Sequence, residues 1–218
     1  MNTLLIIGAG PGISQSTATR FAQEGFRILL AGRDESNVAD FIAALRKDKK
    51  EVDYYQVDAT DMSQVNQLID QVESKYGQID VLHYNAANLR NQTIEQQSAD
   101  SFAADLNVNV AGALVSVKKA FEYMKSRQAG IILLTGGGFA LQPHPEYLSL
   151  SVGKAGIRAI SQGLFEPFKA ENVHIASVTV ATFVTPESEE AEGVADSFWK
   201  LYQQPKDSWT DEVVYPAN

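Results

Sequence analysis

At 218 residues, 44% of them hydrophobic and 21% charged, the chain has the size and apolar content of one folded unit with an ample core. Its formal net charge of -9 argues against a nucleic-acid backbone or an anionic membrane surface as partner, and the lack of cysteine excludes disulfides and thiolate chemistry. His83, His144 and His174 lack metal-ligand spacing, no apolar run reaches the ~20 residues of a membrane span, and Met1-Asn2 carries no signal-peptide head, so a cytoplasmic protein without a metal is expected.

Leu4-Leu5-Ile6-Ile7 reads as a strand buried on both faces. A glycine-bearing turn follows, Gly8-Ala9-Gly10-Pro11-Gly12-Ile13-Ser14, and then a helical pattern over Thr17–Glu24 that Gly25 stops. Glycines at such a handover let the backbone approach a pyrophosphate closely, and the N–H groups of the helix start carry the positive end of its dipole. Arg27–Ala31 is a second strand, ended by Gly32-Arg33-Asp34. Val38–Leu45 restores a helical period and closes in Arg46-Lys47-Asp48-Lys49-Lys50, a solvated helix end. Val52–Val57 is a third strand and Asp58-Ala59-Thr60-Asp61 a capping turn. Val65, Leu68, Ile69 and Val72 mark a helix that Gly77 stops, and Ile79–Tyr84 is a fourth strand running into Asn85-Ala86-Ala87-Asn88.

A long helical stretch is expected from Glu95 to Arg127 with a break near Asn107, after which Gly130 releases a fifth strand, Ile131–Thr135. Beyond Gly136-Gly137-Gly138 a helix is expected over Tyr147–Ala170 and a sixth strand over Ile175–Val180. Pro186 to Asp196 is acidic and reads as a mobile lid or a short solvated helix, the lid option extending over residues 186–200. Val194–Gln203 is helical in pattern and Glu212–Tyr215 a last strand. Apolar strands alternating with helices define a single-domain, doubly wound α/β fold of three layers, a parallel sheet with helices on both faces joined by right-handed crossovers.

The generic dinucleotide fingerprint G-x-G-x-x-G fails at Ile13, whereas the register G-x-x-x-G-x-G is met by Gly8 and Gly12 with Ser14 in the last place. In this register, and in further motifs at matching spacing, the chain resembles the short-chain dehydrogenase/reductase family over nearly its whole length. The resemblance implies a Rossmann-type fold in which Gly8, Gly10, Gly12, Ile13 and Ser14 hold a pyrophosphate, the Ser14 hydroxyl bonding a phosphate. It implies that Asp58, with Ala59 beside it, meets the adenine, and that Asn85-Ala86 lines the adenosine ribose, although Ala87 departs from the family's glycine. Asn109, in Asn109-Val110-Ala111-Gly112, matches the asparagine that holds a water in the family's proton relay. Lys154 matches the lysine that bonds the nicotinamide ribose. Ala181-Thr182 replaces the family's Pro-Gly after the sixth strand, leaving Thr185 as a hydroxyl for the nicotinamide amide. Where a carboxylate would bond the 2′-hydroxyl of NAD, Gly32-Arg33 offers a guanidinium suited to a 2′-phosphate, so NADP(H) is expected over NAD(H).

The family's chemistry uses a serine, a tyrosine thirteen residues on and a lysine four further. Ser151-Val152-Gly153-Lys154-Ala155-Gly156 sets the register, and it places Leu150 at the tyrosine position and Gly137 at the serine position. Both hydroxyls are missing while the spacing is intact. Two readings stay open: an oxidoreductase on a small carbonyl or alcohol with an unconventional acid, or an NADP(H)-binding sensor or assembly subunit without turnover. For the first, Tyr147 or a bound water is the proton donor, since Tyr147, Ser151 and Lys154 share a helix face at i, i+4 and i+7. His144, between two prolines, reads as an exposed loop residue. The resemblance implies a homodimer or homotetramer formed by the helices around Asn107–Arg127 and Leu150–Ala170, with Phe165 and Phe168 as apolar anchors.

Overall fold

Side chains along a strand alternate between the two faces of its sheet, and a strand apolar at every position therefore feeds two cores at once. In the computed structural model, which describes residues 1–217, β1 (Thr3–Ile7) does this: Leu5 and Ile7 enter one core, Leu4 and Ile6 the other. β2 (Arg27–Gly32) divides Leu29 and Ala31 from Ile28 and Leu30 in the same way. With β3 (Val52–Gln56), β4 (Val81–Tyr84), β5 (Ile131–Thr135), β6 (His174–Val180) and β7 (Glu212–Tyr215) they form a parallel seven-stranded sheet among the described residues, in the order β3-β2-β1-β4-β5-β6-β7.

Two helical layers close the cores. α1 (Ile13–Gln23), α2 (Ala39–Lys47) and α7 (Glu189–Gln203) cover one face, where Phe21 meets Trp199 edge to face at 5.0 Å. α3 (Met62–Tyr76), α5 (Gly112–Arg127) and α6 (Leu148–Ala170) cover the other face, with α4 (Ala99–Leu106) packed against α6. Burying a side chain such as Phe21 or Phe198 contributes about 1.5–3 kcal/mol each, which is how the apolar pattern becomes stability.

Several expected elements differ in detail. The first helix starts at Ile13, directly out of the glycine turn, rather than at Thr17. The stretch from Glu95 does not become helical until Ala99, where Ser98 caps it, and the break near Asn107 is a π-helical turn, Asn107–Ala111, that joins α4 to α5 without ending the helical path. Residues 189–200 are not a lid or a solvated segment: from Glu189 they belong to α7, whose Ala191, Val194 and Phe198 are fully buried. The acidic residues Glu189, Glu190 and Glu192 occupy its first turn, where the helix dipole favours negative charge, and Ser188 accepts the Ala191 N–H. Phe168 is a core residue, not a surface anchor, because its ring stacks on Phe121 at 3.7 Å.

Candidate functional site

The chain runs outward from β1 to β3, then crosses back to place β4 on the other side of β1, and the strand order reverses there. Crevices at such a point, outside the carboxyl ends of the strands, are where open α/β sheets bind ligands. A cleft of about 1200 Å³ opens at this place.

Its floor is the glycine turn. Gly8 takes a φ of 97°, and a Cβ there would lie 2.2 Å from the Ala86 backbone nitrogen, so only glycine lets the loops after β1 and β4 pack this closely. The space above Gly10 is open, and α1 has Gly12 as its N-terminal flanking residue, with no side-chain cap. An open cradle at an uncapped helix start fits a phosphate group of a dinucleotide. Ser14 does not face this cradle. Its hydroxyl is buried, accepts the Gly10 N–H at 2.8 Å and donates back to the Gly10 carbonyl, so it braces the turn instead of reaching outward.

One end of the cleft is lined by Gly32, Arg33, Asp58 and Ala59. The Arg33 guanidinium is exposed and enters no ion pair among the described residues. The neighbouring Asp34 carboxylate is engaged by Ser36, whose hydrogen bonds hold it below its ordinary pKa. Asp58 uses one oxygen to accept both the backbone N–H and the hydroxyl of Thr60 at 2.9 Å.

At the other end a buried polar chain crosses the sheet. Asn85 donates to the Gly8 carbonyl at 3.0 Å and accepts the Thr135 hydroxyl at 2.8 Å, tying β1 to β5. Because Thr135 donates to Asn85, it accepts from His83 Nε2 at 2.8 Å, which makes His83 the Nε2–H tautomer. Burial first, and the Lys154 cation second, push His83 down to about 3, so it is neutral at physiological pH. Lys154 Nζ donates to the Thr135 carbonyl at 2.7 Å, and burial lowers its pKa to about 8.

Leu150 and Gly137, which the spacing from Lys154 singled out, adjoin this lysine. Leu150 is buried and lines the cleft one helical turn before Lys154. A Cβ on Gly137 would come within 3.1–3.3 Å of the Lys154 stem, so the lysine lies in the room that a side chain at 137 would take. Gly136 and Gly138 are likewise pressed against β6, with virtual Cβ contacts of 2.9 Å to Thr179 and 3.0 Å to Ala181. The three consecutive glycines thus follow from close packing.

Other expected residues lie elsewhere. Tyr147 is outside α6, at its cap, and its phenol is turned away to accept from Asn91 Nδ2 at 2.6 Å while its ring stacks on Phe139 at 5.2 Å. It therefore does not share the cleft-facing helix surface of Lys154 and does not line the cleft. Asn109 is buried beneath the cleft wall, where its Oδ1 accepts the Asn88 N–H at 2.7 Å. Thr185 lies outside the lining, whereas Thr182 belongs to it, and so does His144.

Asp105 had no motif to mark it. Its carboxylate is fully buried and accepts from Arg90, Asn88, Gln97 and Ser149, joining the segment after β4 to α4 and α6. Burial alone would raise its pKa, but the hydrogen bonds from Arg90, Ser149 and Asn88 outweigh that and hold it lowered. Its neighbours one helical turn away, Ser101, Phe102, Val108 and Asn109, are mixed and gave no signal that it would be buried.

Fold and site together define a dinucleotide-binding α/β protein with a lysine at the inner end of its cleft. The sequence pattern of the short chain dehydrogenase family matches residues 2–193, and the chain belongs to that family. It is 27% identical over 183 residues to an uncharacterized oxidoreductase of Staphylococcus saprophyticus, covering 84% of this chain and 78% of that protein. A crystal structure of a short-chain dehydrogenase from Rhodopseudomonas palustris superposes with a TM-score of 0.90 at 24% identity, over 100% of this chain and 99% of that one. A metagenomic short-chain oxidoreductase in complex with NADP superposes equally well, with a TM-score of 0.90 at 18% identity over 98% and 96% of the two chains. These two likenesses establish the fold. An NAD+-bound xylitol dehydrogenase aligns with a TM-score of 0.77 at 25% identity, over 84% and 72%.

Proposed function

We propose that the chain is an NADP(H)-dependent oxidoreductase acting on a small carbonyl or alcohol, with Lys154 as the proton-bearing group. The observation that carries this is the lysine's position: Nζ is anchored on the Thr135 carbonyl, beside Leu150 and Gly137, in the wall of the cleft. The glycine turn from Gly8 to Gly12, with Ile13 at the helix start, is suited to the pyrophosphate, Asp58 and Ala59 to the adenine, and Asn85 and Ala86 to the adenosine ribose. Arg33, a cation without an ion-pair partner among the described residues, suits a 2′-phosphate and favours NADP(H) over NAD(H). When bound, the reduced cofactor supplies a hydride to the carbonyl carbon.

The residues of this chain must then deliver a proton to the carbonyl oxygen. Leu150 has none to give, His83 is neutral and committed to Thr135, and the Tyr147 phenol is held at Asn91. The Lys154 ammonium keeps one N–H on Thr135 and has others for the substrate oxygen; at pH 7 roughly nine-tenths of it is protonated. A positioned acid of this kind contributes ~10²–10⁴ in rate. Thr135 and Asn85 serve as positioning residues, holding the lysine and the glycine turn in one network.

The buried Leu150 favours a second reading, a cofactor-binding sensor or assembly subunit without turnover. A homodimer or homotetramer in the cytoplasm is part of the proposal; Leu114 on α5 and Val152 on α6 are 45% and 47% exposed and suit such a contact. The test pairs NADPH oxidation against a panel of aldehydes and ketones with a direct NADPH fluorescence titration. Turnover that survives Tyr147→Phe and is lost in Lys154→Met is the expected result. Tight NADPH binding with no turnover on any substrate would leave the sensor reading, and no fluorescence change on titration would overturn both.

A further inference from the structure

The mouth of the cleft at the Lys154 end gathers exposed apolar side chains. Leu89, Leu141 and Phe183 line it and are 77%, 44% and 86% exposed, three of the few large apolar side chains that the described residues leave so open. They come from three separate connections, those after β4, β5 and β6, and converge on one opening. Phe139 and Leu150 continue the apolar surface inward. An apolar cluster built from three loops around a cleft marks a binding surface, since scattered single residues are the ordinary case.

Charge sharpens the reading. The lysine and arginine side chains that line the cleft are Lys154 at its inner wall and Arg33 at the far end, where Asp34 and Asp58 also sit. The polar side chains near the mouth include Gln142 and Thr182, which are neutral, and His144. Among the described residues that line the rim, no fixed cation is placed to pair with a carboxylate or phosphate on the substrate's distal part.

Resting on the oxidoreductase reading, we infer that the substrate is an uncharged ketone, aldehyde or alcohol bearing an apolar chain or ring of several carbons, gripped by Leu89, Leu141 and Phe183. Its reacting oxygen meets Lys154 and its apolar part lies along the rim. Each methylene that the rim buries tightens binding about fourfold until the surface is filled, whereas a carboxylate at the end of the chain cancels that gain because it is desolvated without a partner.

The experiment uses the full chain saturated with NADP+, so that ketones bind without reacting, and measures their dissociation constants by titration calorimetry. Unbranched methyl ketones of increasing length are compared with keto acids of matched length. The expected result is a dissociation constant falling about fourfold per added methylene, loss of the gain in the keto acids, and a flattened length dependence in Phe183→Ser with NADP+ affinity unchanged. Phe183 is largely exposed, so its replacement leaves folding intact. Length-independent binding, tighter binding of the keto acids, or a Phe183→Ser effect on self-association by light scattering but none on ketone binding would overturn the assignment, the last showing that the rim is covered by a second copy of the chain. Length-dependent binding by a protein that never oxidises NADPH supports the rim while overturning only the oxidoreductase reading.

Discussion

Replacing Arg33 by alanine isolates the contact on which cofactor choice turns. Arg33 follows β2 at the end of the cleft opposite Lys154, and the side chain has no ion pair to break among the described residues. Its neighbour Asp34 is occupied by Ser36, so the substitution frees no competing carboxylate and disturbs no cap. What is lost is a charge-assisted contact to a 2′-phosphate. Such contacts are about twice as strong as neutral ones, but Arg33 is exposed and solvent screens it, so the expected loss is at the low end, about tenfold in affinity. Fluorescence titration should show the NADPH dissociation constant rising about tenfold while that of NADH is unchanged. Raising the salt concentration should erode the NADPH advantage of the unmodified protein and have little effect in Arg33→Ala. An equal loss for both cofactors, or NADH bound as tightly as NADPH by the unmodified protein, would refute the reasoning.

Asp105→Ala leaves the donors of four residues, five hydrogen bonds in all, without their acceptor and should lower stability by about 3 kcal/mol, a fall in Tm of roughly 6–12 °C by calorimetry. Because the folded-state pKa of Asp105 is lowered, its contribution is present above the ordinary carboxylate range and is lost as pH falls through the lowered value, so the difference between the two proteins should narrow below about pH 4. Reductive kcat/KM should decline as pH rises through about 8, where Lys154 loses its proton, and the oxidative direction should rise over the same interval; a flat profile from pH 7 to 9 would exclude the lysine as acid. Gly8→Ala forces a Cβ against Ala86 at a positive φ, and should abolish NADPH binding and lower Tm together, whereas an alanine at Gly10, where the space is open, should spare the fold.

Much of this molecule is determined by short-range pattern. Continuous apolar runs such as Leu4–Ile7 and Ile28–Ala31 specify strands covered on both faces, the intervening 3.6-residue periods specify the covering helices, and together they dictate a parallel, doubly wound sheet. The handover from strand to helix at Gly8–Gly12 is written in consecutive residues and locates the cleft. That Gly137 and Leu150 stand at fixed spacings before Lys154 is equally legible, because it needs only counting.

Side-chain direction was decided elsewhere. Ser14 turns inward because the Gly10 backbone supplies both a donor and an acceptor at hydrogen-bonding distance, which depends on how the turn folds on itself. Tyr147 leaves the helix face because a segment 56 residues earlier offers Asn91 as partner. Asp105 is ionised in the interior only because Arg90, Asn88, Gln97 and Ser149 arrive from three parts of the chain. The acidic run from Glu189 looked solvated, yet the residues at helical spacing behind those carboxylates, Ala191, Val194 and Phe198, are buried where α7 packs beside α1 on one face of the sheet. Desolvation and long-range hydrogen bonding have no local period, and so the environment that lowers Lys154 to about 8 emerges only when β4, β5 and α6 are brought together.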